Sequence, residues 1–99
     1  MQEVPDGQIR YRAWVTVGPS SLPFGAAIGI LQALNRQHPE LGAIGSGGSN
    51  EGQVYAVSCD ADGAREARRE IGTAFRDAIA HVGLKGDAKV ESIQLERIW

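Results

Sequence analysis

The side chains that most often act as nucleophiles, general bases or metal ligands are scarce in this chain. It has one cysteine, Cys59, and two histidines, His38 and His81. No pair of these residues has the spacing of a zinc motif or of a Cys–His catalytic family. Cys59 ends a predicted buried strand, where cysteine acts as a small core residue, and both histidines fall at predicted helix ends. We therefore predict no catalytic residue, no metal ion and no cofactor.

A tryptophan among arginines is the first feature that could bind something. Residues 9–17 alternate between apolar and other side chains, so a strand there would carry Arg10, Arg12 and Trp14 on one face. Such a face can stack a nucleic-acid base or anchor a protein interface, or it can be a solvated face on which the arginine stems cover the indole. The formal charge of −2 argues against nucleic acid as the partner. We predict Arg10, Arg12 and Trp14 as interface residues.

The turn after this strand is the second candidate. Backbone amides at a helix start attract anions and serine hydroxyls add donors, so Gly18, Ser20 and Ser21 form a candidate anion site. The same serines equally predict an ordinary helix cap. The lysine of a phosphate-binding loop is absent.

The first predicted helix is the third candidate, because it carries no charge between Leu22 and Asn35. Apolar residues recur at helical spacing, and further apolar residues widen this surface beyond one stripe, so we expect the helix to contact something besides its own sheet. The stripe consists of Phe24, Ala27, Ile28, Leu31 and Leu34, and the residues that widen it are Leu22, Ala26, Ile30 and Ala33. Gly25 and Gly29 stand four positions apart, which lets another backbone approach closely, either the chain's own sheet or a second subunit.

The elements that would position these residues follow from hydropathy patterns and turn residues. Strands are predicted over 9–17, 41–44, 53–59 and 90–99, and helices from Pro23 to His38 and from Ala64 to Val82, the second capped by Asp60 or Asp62. Residues 1–8 are predicted as an irregular arm and 45–52 as a flexible Gly/Ser loop, although GSGGS is also typical of engineered linkers.

The element order predicts a single α+β domain over 1–99. Two split βαβ units give a ferredoxin-like βαββαβ sandwich, a four-stranded antiparallel sheet with two helices on one face. The first and third strands would be central, and the sheet face that bears Trp14 would be open.

In layout the chain resembles an ACT-type regulatory domain, through its element order and its turn at Gly18 and Pro19. The resemblance implies a small ligand near this turn at a subunit interface. Acylphosphatases share the layout, but the segment RAWVTVGPSSLPF lacks their glycine-rich phosphate cradle and its arginine.

These observations favour a small non-enzymatic binding or assembly module that acts as a homodimer or higher homo-oligomer, through the open sheet face and the apolar first helix. One alternative is a cofactor-free enzyme with a cleft at a subunit interface, built from Trp14, Tyr55, His38 or His81. Another is an ACT-like regulatory domain that responds to a small anion or an amino acid. The lone cysteine and the absence of a leader or a spanning segment predict a cytoplasmic protein without membrane partners.

Overall fold

The protein is an α+β fold of four antiparallel strands and two helices, seen in a computed structural model that describes residues 7–98. The elements in chain order are β1 (Ile9–Gly18), α1 (Phe24–Gln37), β2 (Ile44–Ser49), β3 (Gly52–Ala61), α2 (Ala64–His81) and β4 (Lys89–Arg97), with one 3₁₀ turn over Pro39–Leu41. The strand order across the open sheet is β2-β3-β1-β4. Most of the predicted N-terminal arm, residues 1–6, and the last residue of the predicted fourth strand, Trp99, lie outside the described residues.

The core lies between one face of the sheet and the two helices. The alternation in β1 buries Tyr11, Ala13, Val15 and Val17 on that face. Ile30 and Leu34 of α1 and Ile71 and Phe75 of α2 complete the same hydrophobic cluster, and the two helices contact each other. The core also holds Tyr55, whose hydroxyl donates a 2.8 Å hydrogen bond to the carbonyl oxygen of Ala27. The strict period-two pattern of β1 therefore fixes which of its faces carries Trp14.

The second strand differs from its prediction. Residues 41–44 were expected to form it, but Leu41 closes the 3₁₀ turn that follows α1, and β2 begins only at Ile44. The prediction of an irregular loop over 45–52 is wrong for residues 45–49, which pair with β3. The backbone N–H and C=O groups of β2 form hydrogen bonds with those of β3. A segment of glycine and serine can therefore form a strand without any side-chain pattern. Asn50 and Glu51 make the turn of this β-hairpin.

Neither helix is capped by the predicted side chains. The N-cap position of α1 is Pro23 and that of α2 is Gly63, and no side chain bonds either cap. Ser20 and Ser21 lie before the helix in an exposed turn closed by the hydrogen bond from Leu22 N–H to the carbonyl of Pro19.

The buried face of α1 covers only part of the apolar surface that the sequence predicts for this helix. Ala27, Ile30, Ala33 and Leu34 are buried. Phe24 and Ile28 are 71% and 39% exposed. The helix has more apolar positions than one sheet face can cover, so part of its apolar surface faces solvent.

Candidate functional site

The sheet face opposite the helices brings the predicted interface residues together. Arg10, Arg12, Trp14 and Thr16 of β1 occupy it, and the register sets Ser58, Ala56 and Val54 of β3 on one side and Glu96, Gln94 and Ser92 of β4 on the other. These side chains are half-buried or exposed, whereas the residues between them on β1 are buried. We call this surface the open sheet face.

One row of the open sheet face is apolar. Ile44 of β2 pairs with Ala56 of β3, and Ala56 pairs with Trp14 of β1, so the three side chains lie side by side across three strands. Ile44 is 61% exposed, and Trp14 and Ala56 are half-buried. The predicted strand boundaries left Ile44 off this face. No sequence signal marked β2, because the hairpin turn of Asn50 and Glu51 is not one of the dipeptides typical of two-residue hairpin turns.

The two arginines of the open sheet face differ in their partners. Arg10 lies opposite Asp60 in the register, and its Nε and Nη2 donate hydrogen bonds of 2.8 and 3.1 Å to the two carboxylate oxygens. This bidentate pair holds the pKa of Asp60 below its ordinary value. Arg12 lies between Ser58 and Glu96 in the register and forms no hydrogen bond or ion pair with the residues described. Arg12 is therefore the arginine that is available to a partner.

The predicted anion turn has an acidic neighbour. A Cβ built on Gly18 would lie 2.7 Å from Oε1 of Glu91 and 2.7 Å from the carbonyl oxygen of Glu51. Ser20 and Ser21 are exposed, and Leu22 and Pro23 separate them from the first turn of α1. The structure thus keeps Gly18, Ser20 and Ser21 in one turn but sets a carboxylate close to Gly18, which would repel an anion.

The glycines of α1 do not mediate close packing within the chain. A Cβ built on Gly25 would meet nothing within 4 Å, and one on Gly29 would reach only Val82 of α2, at 3.8 Å. The sequence left two explanations for this glycine pair open, close approach to the chain's own sheet or close approach to a second subunit. The first explanation is wrong, because a Cβ built on either glycine would meet no backbone atom of the sheet within 4 Å. The surface of α1 around Gly25 is open.

A groove of about 530 Å³ lies between the end of α1, strand β3 and α2. His38 lines it, with Nδ1 3.4 Å from Glu40 and Nε2 3.8 Å from Asp77. Cys59 lies at its base and donates a hydrogen bond of 3.3 Å to Glu70. Burial, and secondarily Glu70, raise the pKa of the Cys59 thiol to about 12, which disfavours the thiolate that a nucleophilic cysteine needs.

Two of the residues named for a cofactor-free enzyme, Trp14 and Tyr55, lie on opposite faces of the sheet. Trp14 lies on the open sheet face and Tyr55 on the helix-covered face. Burial raises the pKa of Tyr55 to about 12, and the Tyr55 hydroxyl already donates a hydrogen bond to the carbonyl oxygen of Ala27. Within residues 7–98, no three His, Cys, Asp or Glu side chains are placed to hold a metal ion.

Comparison of the chain with protein families, with curated proteins and with solved structures gives no significant match. None of the helices between residues 7 and 98 is both long enough and apolar enough to cross a membrane.

Proposed function

We propose that this protein is a small non-enzymatic assembly module that works as a homo-oligomer, with the open sheet face of one copy packed against that of another. The observation that carries the proposal is the apolar row Ile44–Ala56–Trp14, which crosses three strands of a sheet face without helix cover. A partly exposed tryptophan in the middle of a sheet is a typical anchor of a protein interface. The cytoplasm, where the free thiol of Cys59 stays reduced, is the compartment we propose.

The size of the face suits a modest interface. The strands β1 to β4 have ten, six, ten and nine residues. With a rise of about 3.3 Å per residue and strands about 4.8 Å apart, the sheet presents roughly 550 Å² on each copy. Two such faces would bury about 1,100 Å² together, which is just above the roughly 1,000 Å² that marks a specific interface. We therefore expect association that depends on concentration.

The shape and charge of the open sheet face suit a second copy of the same chain. Trp14 projects beside the small side chains of Ala56, Ser58 and Ser92, so one indole can lie over the partner's small residues while the partner's indole does the same in return. Arg12 lacks an ion pair within residues 7–98, and the exposed Glu96 lies across from it on β4. An isologous pairing in which each Arg12 faces Glu96 of the other copy would give both charges a partner.

We further propose that the fold is the ferredoxin-like sandwich expected from the sequence. The antiparallel order β2-β3-β1-β4, with one helix after β1 and one after β3, supports this assignment. Both helices contribute to the same core, which leaves the other sheet face free for assembly.

The test is the molar mass by light scattering over a range of concentrations, for wild type and for a matched pair of alanine-to-lysine variants. Ala56→Lys puts a charge into the apolar row, and Ala80→Lys puts the same charge on the exposed side of α2. We expect wild type and Ala80→Lys to associate alike and Ala56→Lys to need at least tenfold higher concentration. A wild type that stays monomeric at every concentration, or an Ala56→Lys that associates like wild type, contradicts the proposal. Circular dichroism of each variant confirms that it is folded.

A further inference from the structure

The chain has two lysines, Lys85 and Lys89, and both border the same hollow. This hollow of about 490 Å³ lies between the last turns of α2 and the segment that leads into β4. Sites for small molecules occupy roughly 300 to 1,000 Å³. We call it the lysine hollow. None of the residues that line it belongs to the open sheet face, so it is a separate surface of the protein.

A tight turn after α2 brings both lysines to the hollow. The N–H group of Leu84 donates a hydrogen bond of 3.0 Å back to the carbonyl oxygen of Ile79 in α2. The carbonyl oxygen of Leu84 then accepts a hydrogen bond of 2.9 Å from the N–H group of Ala88. The backbone therefore folds back on itself within four residues, and Lys85 and Lys89, at the two ends of this turn, reach the same hollow.

The floor of the lysine hollow is apolar. Ile79 of α2 and Ala88 of the turn are buried, and Val90 of β4 is half-buried. Ala80 borders the hollow from α2 and is exposed, and its small side chain leaves the floor accessible from solvent. A floor of this kind gains from covering an apolar group of a ligand, because water is then displaced from both surfaces.

The rim of the lysine hollow is cationic, since Arg76 of α2 joins the two lysines there. Within residues 7–98, Lys85 forms no hydrogen bond or ion pair. The only carboxylate near the ammonium group of Lys89 among these residues is that of Glu91, at 4.0 Å. Arg76 donates a hydrogen bond of 3.3 Å to the hydroxyl of Thr73 and has no acidic partner in the same range. The three cations are therefore largely available to a ligand.

The acidic groups near the lysine hollow do not cancel its charge. Asp77 is the one carboxylate that borders it, and an oxygen of Asp77 lies 3.8 Å from Nε2 of His38. Asp87 and Glu91 border a neighbouring hollow. Three cations against one carboxylate make the rim positive in a chain whose formal charge is −2. A positive concave surface on a negative protein concentrates anions locally.

We propose that the lysine hollow binds a small organic anion, with its phosphate or carboxylate head between the rim cations and its apolar part on the floor. Lysine and arginine are the side chains that bind these head groups. The apolar floor favours such a molecule over an inorganic anion, which would leave Ile79 and Ala88 uncovered. The site shares no residue with the open sheet face, so it does not rest on the proposed assembly.

Titration with phenyl phosphate and with phenylacetate, followed by the amide chemical shifts of the ¹⁵N-labelled chain, tests the proposal. We expect saturable shifts centred on residues 85–90, and the tighter of the two probes identifies the preferred head group. Inorganic phosphate carries the head alone and benzyl alcohol the apolar group alone, so each should bind about tenfold more weakly. Shifts that do not saturate, or that centre elsewhere, overturn the proposal. Equal binding of inorganic phosphate and phenyl phosphate overturns the role of the apolar floor.

Two double variants separate the lysine hollow from the general charge of the protein. Lys85→Gln, Lys89→Gln removes both lysines, and Arg36→Gln, Arg65→Gln removes two exposed arginines that do not line the hollow, with the same change in net charge. We expect the lysine variant to bind the tighter probe about tenfold more weakly and the arginine variant to bind it like wild type. Equal affinity of the two variants overturns the proposal, and their amide spectra show that both are folded. A wild type that binds the probe but stays monomeric in light scattering supports this site while contradicting the proposed assembly.

Discussion

Arg10 and Arg12 stand two positions apart on one sheet face and yet have different roles. Cross-strand register decides this: Arg10 lies opposite a carboxylate on β3, whereas Arg12 lies opposite the hydroxyl of Ser58. Arg10 and Asp60 form a pair that joins the two central strands. The sequence predicts that both arginines share a face, but it does not predict which one is already paired, because the partner lies fifty residues away.

The Arg10–Asp60 pair makes a prediction about acid stability. Its hydrogen bonds keep the pKa of Asp60 below the ordinary value, so the pair stabilises the fold above about pH 4 and the stabilisation is lost as pH falls through the folded-state pKa. Asp60→Asn should be less stable than wild type at pH 6, with the difference shrinking toward pH 2. Urea unfolding at both pH values measures it.

Arg10→Gln provides the control from the other side of the pair. It leaves the carboxyl in place but removes the group that lowers its pKa, so its stability deficit should shrink with acid in the same way. A deficit that is equally large at pH 6 and pH 2 in both variants would show that the pair does not titrate as described.

At the scale of elements, α1 carries exposed apolar side chains and glycines that the chain's own packing does not require. Its glycines have no close backbone neighbour, and Phe24 points its ring away from the core. Phe24, Ile28 and the two glycines therefore form a surface of α1 that the chain's own core does not cover.

The glycines of α1 should cost stability in the isolated chain. In a helix interior, alanine is the better helix former by about 0.5 to 1 kcal/mol. Gly29→Ala, whose Cβ would make ordinary contact with Val82 at 3.8 Å, should therefore raise the free energy of unfolding by about that amount in dilute solution. Gly25 is the second residue of α1 and its Cβ would meet nothing within 4 Å, so Gly25→Ala should give a smaller gain of the same sign, and denaturant titration measures both. A loss of stability in both would mean that another chain packs on this side of α1 even in dilute solution.

The β-hairpin of β2 and β3 depends on a glycine that no pattern marks. Gly52 has φ of +150°, and a Cβ there would lie 2.0 Å from the carbonyl oxygen of Val17 on β1. Gly52→Ala should destabilise the fold by about 2 to 4 kcal/mol, since backbone strain and overpacking act together. Chemical unfolding measures the change.

Gly48→Ala is the matched control for the hairpin. Its Cβ would make ordinary contact with Gln53, and its φ is not in the positive range, so we expect a change within about 0.5 kcal/mol. Equal stability of the two alanine variants would contradict the close approach of β1 to Gly52.

How much the sequence predicts depends on whether an element carries its own pattern. β1 alternates and α2 has a full amphipathic stripe, and both form within a residue or two of their predicted bounds. β2 has no hydrophobic period, because its strand geometry comes from hydrogen bonds to β3, so its position was predicted wrongly. The same holds for the candidate site. The alternation of β1 predicts that Arg12 and Trp14 lie on the open sheet face, whereas the place of Ile44 on that face depends on how β2 pairs with β3, which the sequence does not predict.

At the scale of the whole molecule, the large apolar side chains that residues 7–98 leave exposed lie in three places. Ile44 lies on the open sheet face, Phe24 and Ile28 lie on α1, and Ile98 follows β4. The assembly that we propose through the open sheet face would cover Ile44 together with Trp14.

The most direct test of self-association through the open sheet face is the fluorescence of Trp14 during dilution. In a Trp99→Phe background, Trp14 is the only indole. We predict that its emission lies at shorter wavelength at high concentration and moves to longer wavelength on dilution, with the midpoint at which light scattering shows dissociation. Ala56→Lys should show the long-wavelength emission at concentrations where wild type is associated. Emission that stays constant while the wild-type chain dissociates would contradict the burial of Trp14 against a second copy.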